Sequence, residues 1–281
     1  MKPIKRRIGN FLTQKLPALY KLILLYNYFT TDVYILSFPK AGRTWLRMMI
    51  AKIFSMLQGS DTIGDFIEAA KHIKVNGKRL KVTFEHEDSR GTPYYALEKD
   101  KKRYRSKKVI FLARDPRDVM VSYYFEMTKR KGLSFPDIST FIRDKAYGID
   151  TLIAYMNIWA TSKDIPQDFL FISYEDLHRN PVKILCHVIE FIGVNGFNSD
   201  MLETAVNFSR FENMKNIEKR GGVDTPELTP TDPSDSDSFK TRKGLVGGYI
   251  DYFTKNDLDY INTKIKINLS AYFNYSQSCK N

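Results

Sequence analysis

The chain has 281 residues, of which 43% are hydrophobic and 14% aromatic, so it carries enough apolar material for a sizeable core. This composition excludes wholesale disorder and a small disulfide-stapled fold. Lys and Arg number 44 against 32 Asp and Glu, and the net charge of +12 is concentrated at residues 1–21 and 99–108. Such clustering favours an anionic partner, namely a phosphate-bearing ligand, an acidic polymer or a lipid surface.

The first 30 residues combine a basic run with an apolar stretch at 16–29. This stretch is shorter than the roughly 20 residues that span a bilayer, and no small-residue cleavage site follows it. We expect residues 1–30 to form a basic amphipathic helical extension. Such a helix packs on its own domain or lies on an anionic membrane surface.

The two cysteines, Cys186 and Cys279, show neither metal-ligand spacing nor a disulfide framework. This cysteine usage indicates a reducing compartment. The expected location is the cytoplasm, with peripheral contact to the inner membrane surface as an alternative.

Short β-rich segments alternate with helical patterns through the body of the chain. Strands are predicted at residues 33–38, 80–84, 108–113 and 169–173, and helices at 44–57 and 117–131. The alternation predicts an α/β fold in which a parallel central sheet is flanked by helices, as a single domain over 31–281. Ligands bind such sheets at the carboxyl ends of the strands, so the residues there are the first candidates for a site.

The pattern fails between residues 215 and 240, where Gly-Gly, Pro, Asp and Ser dominate. We predict a long mobile loop over 215–240. Because apolar and aromatic residues resume after it, the loop is an excursion from the same domain, and loops of this length often have a function.

The segment SFPKAGRTW (37–45) places Lys40, Gly42 and Thr44 at the turn between a strand and a helix. Backbone N–H groups at such a turn meet the positive end of the helix dipole and form a cradle for a phosphate-like anion. Lys40 adds a full positive charge. The segment is not a Walker loop, because that motif requires a second glycine.

Two further segments have residues suited to anions. ARDPRDVMVSYY (113–124) places Arg114 at the end of the third predicted strand and Ser122 eight residues later. Arginine makes multidentate phosphate contacts, and serine adds a hydroxyl. RKGLVGGY (242–249) is basic and glycine-rich, so its backbone can approach a ligand closely.

Taken in this order, SFPKAGRTW, ARDPRDVMVSYY and RKGLVGGYIDYF resemble the three signature elements of sulfotransferases that use 3′-phosphoadenosine 5′-phosphosulfate (PAPS). The resemblance runs from about residue 33 to 254. It implies the P-loop-like nucleotide-binding fold of that family, PAPS as donor, adenosine 3′,5′-bisphosphate (PAP) as product and no metal ion. The details favour a bacterial-type member.

The resemblance also implies a set of donor-binding residues. The phosphosulfate loop would be Lys40, Gly42, Arg43 and Thr44, with Trp45 stacking on adenine. The remaining contacts would come from Arg114, Ser122, Tyr174, Ser209, Phe211, Arg242, Lys243 and Gly244.

His86 occupies the position of the family's general base, just after the second predicted strand. Glu85, Glu87 and Asp88 are alternative bases, and an adjacent carboxylate is expected to raise the pKa of the histidine. The surroundings differ from the animal enzymes, which have a lysine where this chain has Phe84.

The resulting hypothesis is transfer of a sulfuryl group from PAPS to a hydroxyl or amine, with Lys40 and His86 as catalytic residues. The acceptor class stays open among small molecules, lipids and carbohydrates, and so does the oligomeric state. Two alternatives remain: a P-loop-type nucleotide or small-molecule kinase, and a non-enzymatic protein that binds polyanions or membrane surfaces. Nucleic acid is not expected as a partner, because no nucleic-acid motif accompanies the basic runs.

Overall fold

The computed structural model describes residues 28–60, 66–87, 89–220 and 228–275, together with Leu22, Leu25 and Tyr26. Within these ranges five strands form one sheet in the order β2-β3-β1-β4-β5. Their bounds are Val33–Ser37 (β1), His72–Val75 (β2), Lys78–Glu85 (β3), Lys108–Ala113 (β4) and Asp168–Ser173 (β5).

Four of the strands are parallel, as the alternation of strands and helices predicted: β1 pairs with both β3 and β4, and β4 pairs with β5. The exception is β2, an antiparallel edge strand joined to β3 by Asn76 and Gly77. Both turn residues have positive φ, 50° and 77°, which is the backbone of a tight two-residue hairpin. Strand β2 was not predicted from the sequence, although the Asn-Gly pair is a hairpin signal.

The sheet is buried on both faces. Ile35 and Ile110 point toward one layer of helices, whereas the neighbouring residues Leu36 and Phe111 point toward the other. The helices are Arg43–Leu57 (α1), Phe66–Ala69 (α2), Pro116–Phe125 (α3), Ile138–Ile142 (α4), Ile149–Ser162 (α5), Tyr174–Arg179 (α6), Pro181–Ile192 (α7), Ser199–Phe208 (α8), Phe211–Lys219 (α9) and Lys255–Asn268 (α10). This arrangement confirms the α/β fold class.

One predicted boundary held and one was wrong. The stretch expected to be helical at 117–131 is helical from Pro116 to Arg130, with a π-helical turn over Glu126–Arg130. The loop expected at 215–240 begins later, because α9 extends to Lys219. Helix α9 is held in place by Met214 and Glu218, which are 5% and 0% exposed. Residues 221–227 lie outside the described chain.

Most of the predicted N-terminal extension over residues 1–30 also lies outside the described residues. Of those described, Leu22, Leu25, Tyr26 and Phe29 are exposed. Among the helices described here, none has both the length and the apolar character needed to cross a membrane.

Candidate active site

The loop after β1 has the backbone of an anion cradle. Lys40 has a φ of 71° and Gly42 a φ of 98°, so two residues within three positions adopt left-handed conformations. The Gly42 carbonyl accepts hydrogen bonds from the backbone N–H groups of Trp45 and Leu46 and thereby starts α1. A Cβ at Gly42 would lie 2.5 Å from Tyr174 Cδ2, so both the conformation and the contact favour glycine.

Tyr174 connects three of the predicted elements. It follows β5 directly, and its ring lies 5.7 Å from the Trp45 ring and 4.3 Å from Arg114 Cζ. Its hydroxyl donates a hydrogen bond of 3.4 Å to the carbonyl oxygen of Gly244. The loop after β1, the end of β4 and the RKG segment therefore meet around one tyrosine.

Arg114 is fixed at the end of β4 by the late loop, residues 242–249. Its Nη2 donates a hydrogen bond of 2.7 Å to the carbonyl of Leu245 and lies 3.5 Å from Asp118 Oδ2. Asp118 also accepts hydrogen bonds from the backbone N–H groups of Gly247 and Tyr249, at 2.8 and 3.1 Å. Asp118 was not predicted as a site residue, yet it anchors residues 247–249 next to Arg114.

Other predicted donor contacts have partners within the protein. Arg242 donates a hydrogen bond to the Tyr252 hydroxyl, and Lys243 lies 3.1 Å from Asp251. The Ser209 hydroxyl donates to the carbonyl of Ala205 in its own helix. The charged groups of Arg242 and Lys243 are thus each held by a residue of the segment that follows the late loop.

Phe211, Ser122 and Thr44 complete the predicted set. The Phe211 ring packs so closely on Gly244 that a side chain there would overlap it. Ser122 lies half-buried on α3, and Thr44 lies in the first turn of α1.

Lys40 forms an ion pair that the sequence did not predict. Its Nζ lies 3.3 Å from Glu126 Oε2, and Lys240 Nζ lies 3.3 Å from the same oxygen. Burial alone would raise the pKa of Glu126, but Lys240, Lys40 and Arg130 outweigh it and hold this pKa well below its usual range. Glu126 is therefore a carboxylate at neutral pH. It joins the loop after β1 to the residues just before Arg242.

His86 follows β3, and its ring is oriented by the neighbouring strand. Nδ1 lies 2.8 Å from the carbonyl oxygen of Ser37 at the end of β1. Because a carbonyl can only accept, Nδ1 carries the proton and Nε2 has the free lone pair of a base. Burial, with the charges of Arg43 and Arg90, lowers the pKa of His86 well below 6.5.

The expectation that a carboxylate raises the pKa of His86 was therefore wrong. Glu87 faces a different, buried cluster: its side chain is 1% exposed, and Oε1 lies 2.9 Å from Lys101 Nζ. The Tyr104 hydroxyl and the Trp159 indole N–H donate to the same carboxylate, at 2.9 and 2.5 Å. These three contacts hold Glu87 inside a buried structural cluster. Asp88 lies outside the described residues.

The second basic run is in part a structural element. Lys101 is 2% exposed against Glu87, and Lys107 donates a hydrogen bond of 2.7 Å to the carbonyl of Thr31. These side chains attach the segment before β4 to the loop after β3 and to the start of β1. Some of the positive charges that suggested a polyanion partner are therefore paired with groups of the protein itself.

Comparison with known proteins identifies the family. The sulfotransferase domain matches residues 30–273. The chain is similar to flavonol 3-sulfotransferase of Flaveria bidentis, with 26% identity over 259 residues that cover 85% of this chain and 82% of the relative. It is also 25% identical to sulfotransferase 1E1 of Bos taurus over 241 residues, covering 79% of this chain and 78% of the relative.

Solved structures give the same fold. Mouse sulfotransferase SULT7A1 complexed with PAP has a TM-score of 0.60 and 23% identity, covering 88% of this chain and 89% of the other. Retinol dehydratase in complex with androsterone and the inactive cofactor PAP has a TM-score of 0.57 and 19% identity, covering 85% and 80%. These matches do not favour the kinase or the non-enzymatic alternative. The chain belongs to the sulfotransferase family and is a PAPS-dependent transferase.

Proposed function

We propose that the protein moves the sulfuryl group of PAPS to a hydroxyl or amine acceptor, with His86 as general base and Lys40 beside the departing phosphate. The observation that carries this proposal is the 2.8 Å hydrogen bond between His86 Nδ1 and the Ser37 carbonyl. Ser37 leads directly into the loop that bears Lys40, so the base and the cation are fixed at neighbouring strand ends. A base and a leaving-group cation on one rigid edge suit an in-line group transfer.

Buried nitrogens support an anionic ligand at this edge. Arg114 Nε and Arg43 Nη1 are buried and have no hydrogen-bond partner within the described chain. A buried donor without an acceptor is costly, and an anionic oxygen would satisfy it. Burial, and to a smaller extent the charges of Arg47 and Arg90, lowers the pKa of Arg43 to about 9, and an anionic ligand would oppose this shift.

The donor contacts are assigned to residues at the strand ends, on the late loop and on three helices, with Ser122 on α3, Ser209 at the end of α8 and Phe211 at the start of α9. They are Lys40, Gly42, Arg43, Thr44, Trp45, Arg114, Ser122, Tyr174, Ser209, Phe211, Arg242, Lys243 and Gly244. We further assign residues 31–281 to one catalytic domain.

In this scheme PAPS supplies an activated sulfuryl group and a phosphate leaving group. The Lys40 ammonium offsets the negative charge that develops on the departing phosphate. His86 Nε2 accepts the acceptor's proton, and its low pKa keeps the imidazole neutral and ready as a base at neutral pH. The scheme uses no metal ion.

The acceptor is proposed to be a small hydroxylated molecule. Relatives are named for flavonol and 3-beta-hydroxysteroid acceptors, which supports this class over a macromolecule. Lipids and carbohydrates with a free hydroxyl group fall within this class of acceptors, because their hydroxyl groups need the same base.

Residues 1–30 are proposed to contact an anionic membrane from the cytoplasmic side. The exposed side chains of Leu22, Leu25, Tyr26 and Phe29 support this, because they adjoin six basic residues with no acid at 1–21. Cosedimentation with phosphatidylserine vesicles, compared with phosphatidylcholine vesicles, tests the contact. Equal binding of the full-length protein and a variant without residues 1–30 would contradict it.

Binding and transfer experiments test the function itself. The protein is expected to bind PAP in the presence of EDTA and to prefer it to ATP with Mg²⁺, whereas the opposite preference would indicate a kinase. Transfer of labelled sulfate from PAPS to a panel of phenols, sterols and sugars then identifies the acceptor. Failure to bind PAP at all would overturn the proposal.

A further inference from the structure

The cluster of Lys40, Glu126 and Lys240 has no role in the scheme above beyond Lys40 itself. Arg130 Nε also lies 3.3 Å from Glu126 Oε2, and Lys131 Nζ lies 3.7 Å from Oε1. Four cationic side chains therefore surround one carboxylate. The side chains of Lys40 and Lys240 are 12% and 23% exposed, so a ligand can reach them.

We propose that Lys240 is a second catalytic lysine, whose ammonium contacts the 5′-phosphosulfate of the donor together with Lys40. Glu126 holds the two lysines at one point before the donor binds. This inference rests on the proposed function, because it assigns a further residue to the same donor site.

The backbone position of Lys240 is fixed by Glu218 on α9 and by Arg130 in the π-helical turn. Glu218 is fully buried and accepts hydrogen bonds from the backbone N–H groups of Lys240 and Thr241 and from the Thr241 hydroxyl. Arg130 Nη1 lies 3.4 Å from Glu218 and donates a hydrogen bond of 2.7 Å to the carbonyl of Ser238. The backbone of residues 238–241 is thus clamped to α9 and to the π-helical turn, while the Lys240 side chain points back toward Lys40.

The charge balance of the cluster favours an anionic ligand over a purely structural role. Glu218 offsets one charge through Arg130, but Lys40 and Lys240 still share a single oxygen of Glu126. Two ammonium groups on one carboxylate leave a net positive charge in a largely buried place, which is unfavourable until an anion enters. A phosphosulfate group beside Lys40 supplies that charge.

Protonation of Lys240 gives this inference a specific signature. Burial and the charge of Lys40 lower the pKa of Lys240 to about 7, although Glu126 opposes the shift. An anion that binds next to Lys240 must raise this pKa. Binding therefore takes up a proton where the pH lies above the pKa of the free site and below that of the complex, and affinity falls as the pH rises above 7.

The test is calorimetric titration of PAP into the full chain between pH 6.5 and 8.5, in two buffers of different ionisation enthalpy. Wild-type protein is expected to take up part of a proton per PAP at pH 7.5. Burial lowers the pKa of Lys40 as well, so Lys40 can contribute to the uptake. Lys240→Met is therefore expected to reduce the uptake, weaken PAP binding about tenfold and lower kcat about a hundredfold. Lys240→Arg should keep the affinity but show a weaker pH dependence than the wild type, because arginine stays charged.

Lys219→Met is the matched control, since Lys219 is exposed near the end of the adjacent helix α9. It should behave as wild type. If wild-type protein binds PAP but Lys240→Met keeps its proton uptake and kcat, the role of Lys240 is wrong while the proposed function stands. If Lys240→Met does not fold, a pH dependence in Lys240→Arg that is unchanged from the wild type overturns the inference alone. If wild-type protein does not bind PAP, both proposals fail.

Discussion

The loop that positions His86 depends on one buried ion pair, and its loss should have a large effect. Glu87→Gln removes the negative charge but keeps the shape of the side chain. It leaves the Lys101 ammonium, 2% exposed, without its carboxylate. Removing one partner of a buried pair costs about 3–5 kcal/mol. At roughly 2–4 °C per kcal/mol in domains approaching this size, Tm should fall by about 10 °C.

The assay is thermal unfolding of Glu87→Gln, Lys101→Met and the double variant. The double variant should recover at least half of the lost Tm, because it buries no unpaired charge. Glu203→Gln, at an exposed position on α8, is the control and should change Tm by less than about 2 °C. If Glu87→Gln also stays within that margin, or if the two single effects simply add, the buried pair does not hold the loop as described.

Three further changes test other parts of the site. His86→Asn should lower kcat about 10²- to 10⁴-fold and leave PAP affinity unchanged. Because the pKa of His86 lies well below 6.5, wild-type kcat at saturating donor should be constant from pH 8 to 6.5 and fall only at lower pH, which kinetics over pH 5–8 would test. Asp118→Asn should raise the Kd for PAP about tenfold in calorimetry, because the amide keeps one acceptor oxygen for the two backbone N–H groups of Gly247 and Tyr249 and loses the ion pair with Arg114. Gly42→Ala should cost about 1–3 kcal/mol more in denaturant unfolding than Gly59→Ala, since both glycines have positive φ but only Gly42 faces Tyr174; equal costs would contradict the contact.

Much of the site could be predicted because its residues directly follow strands. Lys40, His86, Arg114 and Tyr174 come after β1, β3, β4 and β5, and these strands are parallel, so the four residues share one edge of the sheet. Once the four short strands were located in the sequence, the residues that follow them could be expected at the same edge of the sheet. Their roles in binding and transfer remain predictions.

The rest of the site could not be predicted because its partners are far apart in the chain. Glu126 is 86 residues from Lys40 and 114 from Lys240, and no local pattern marks such a pair. Glu218 was assigned to a loop because the Gly-Gly and Pro residues that follow it obscured the end of α9. A lone glutamate in a helix is usually solvent-exposed, so its burial appears only when the tertiary structure is known.

The most direct test of the account is the single-turnover rate of sulfuryl transfer by Lys40→Ala with the donor saturating. Saturation removes any effect on donor binding, so this rate reports only what Lys40 does as the phosphate departs. The account predicts a fall of about 10²- to 10³-fold. A rate equal to that of the wild type would contradict the placement of Lys40 beside the leaving group.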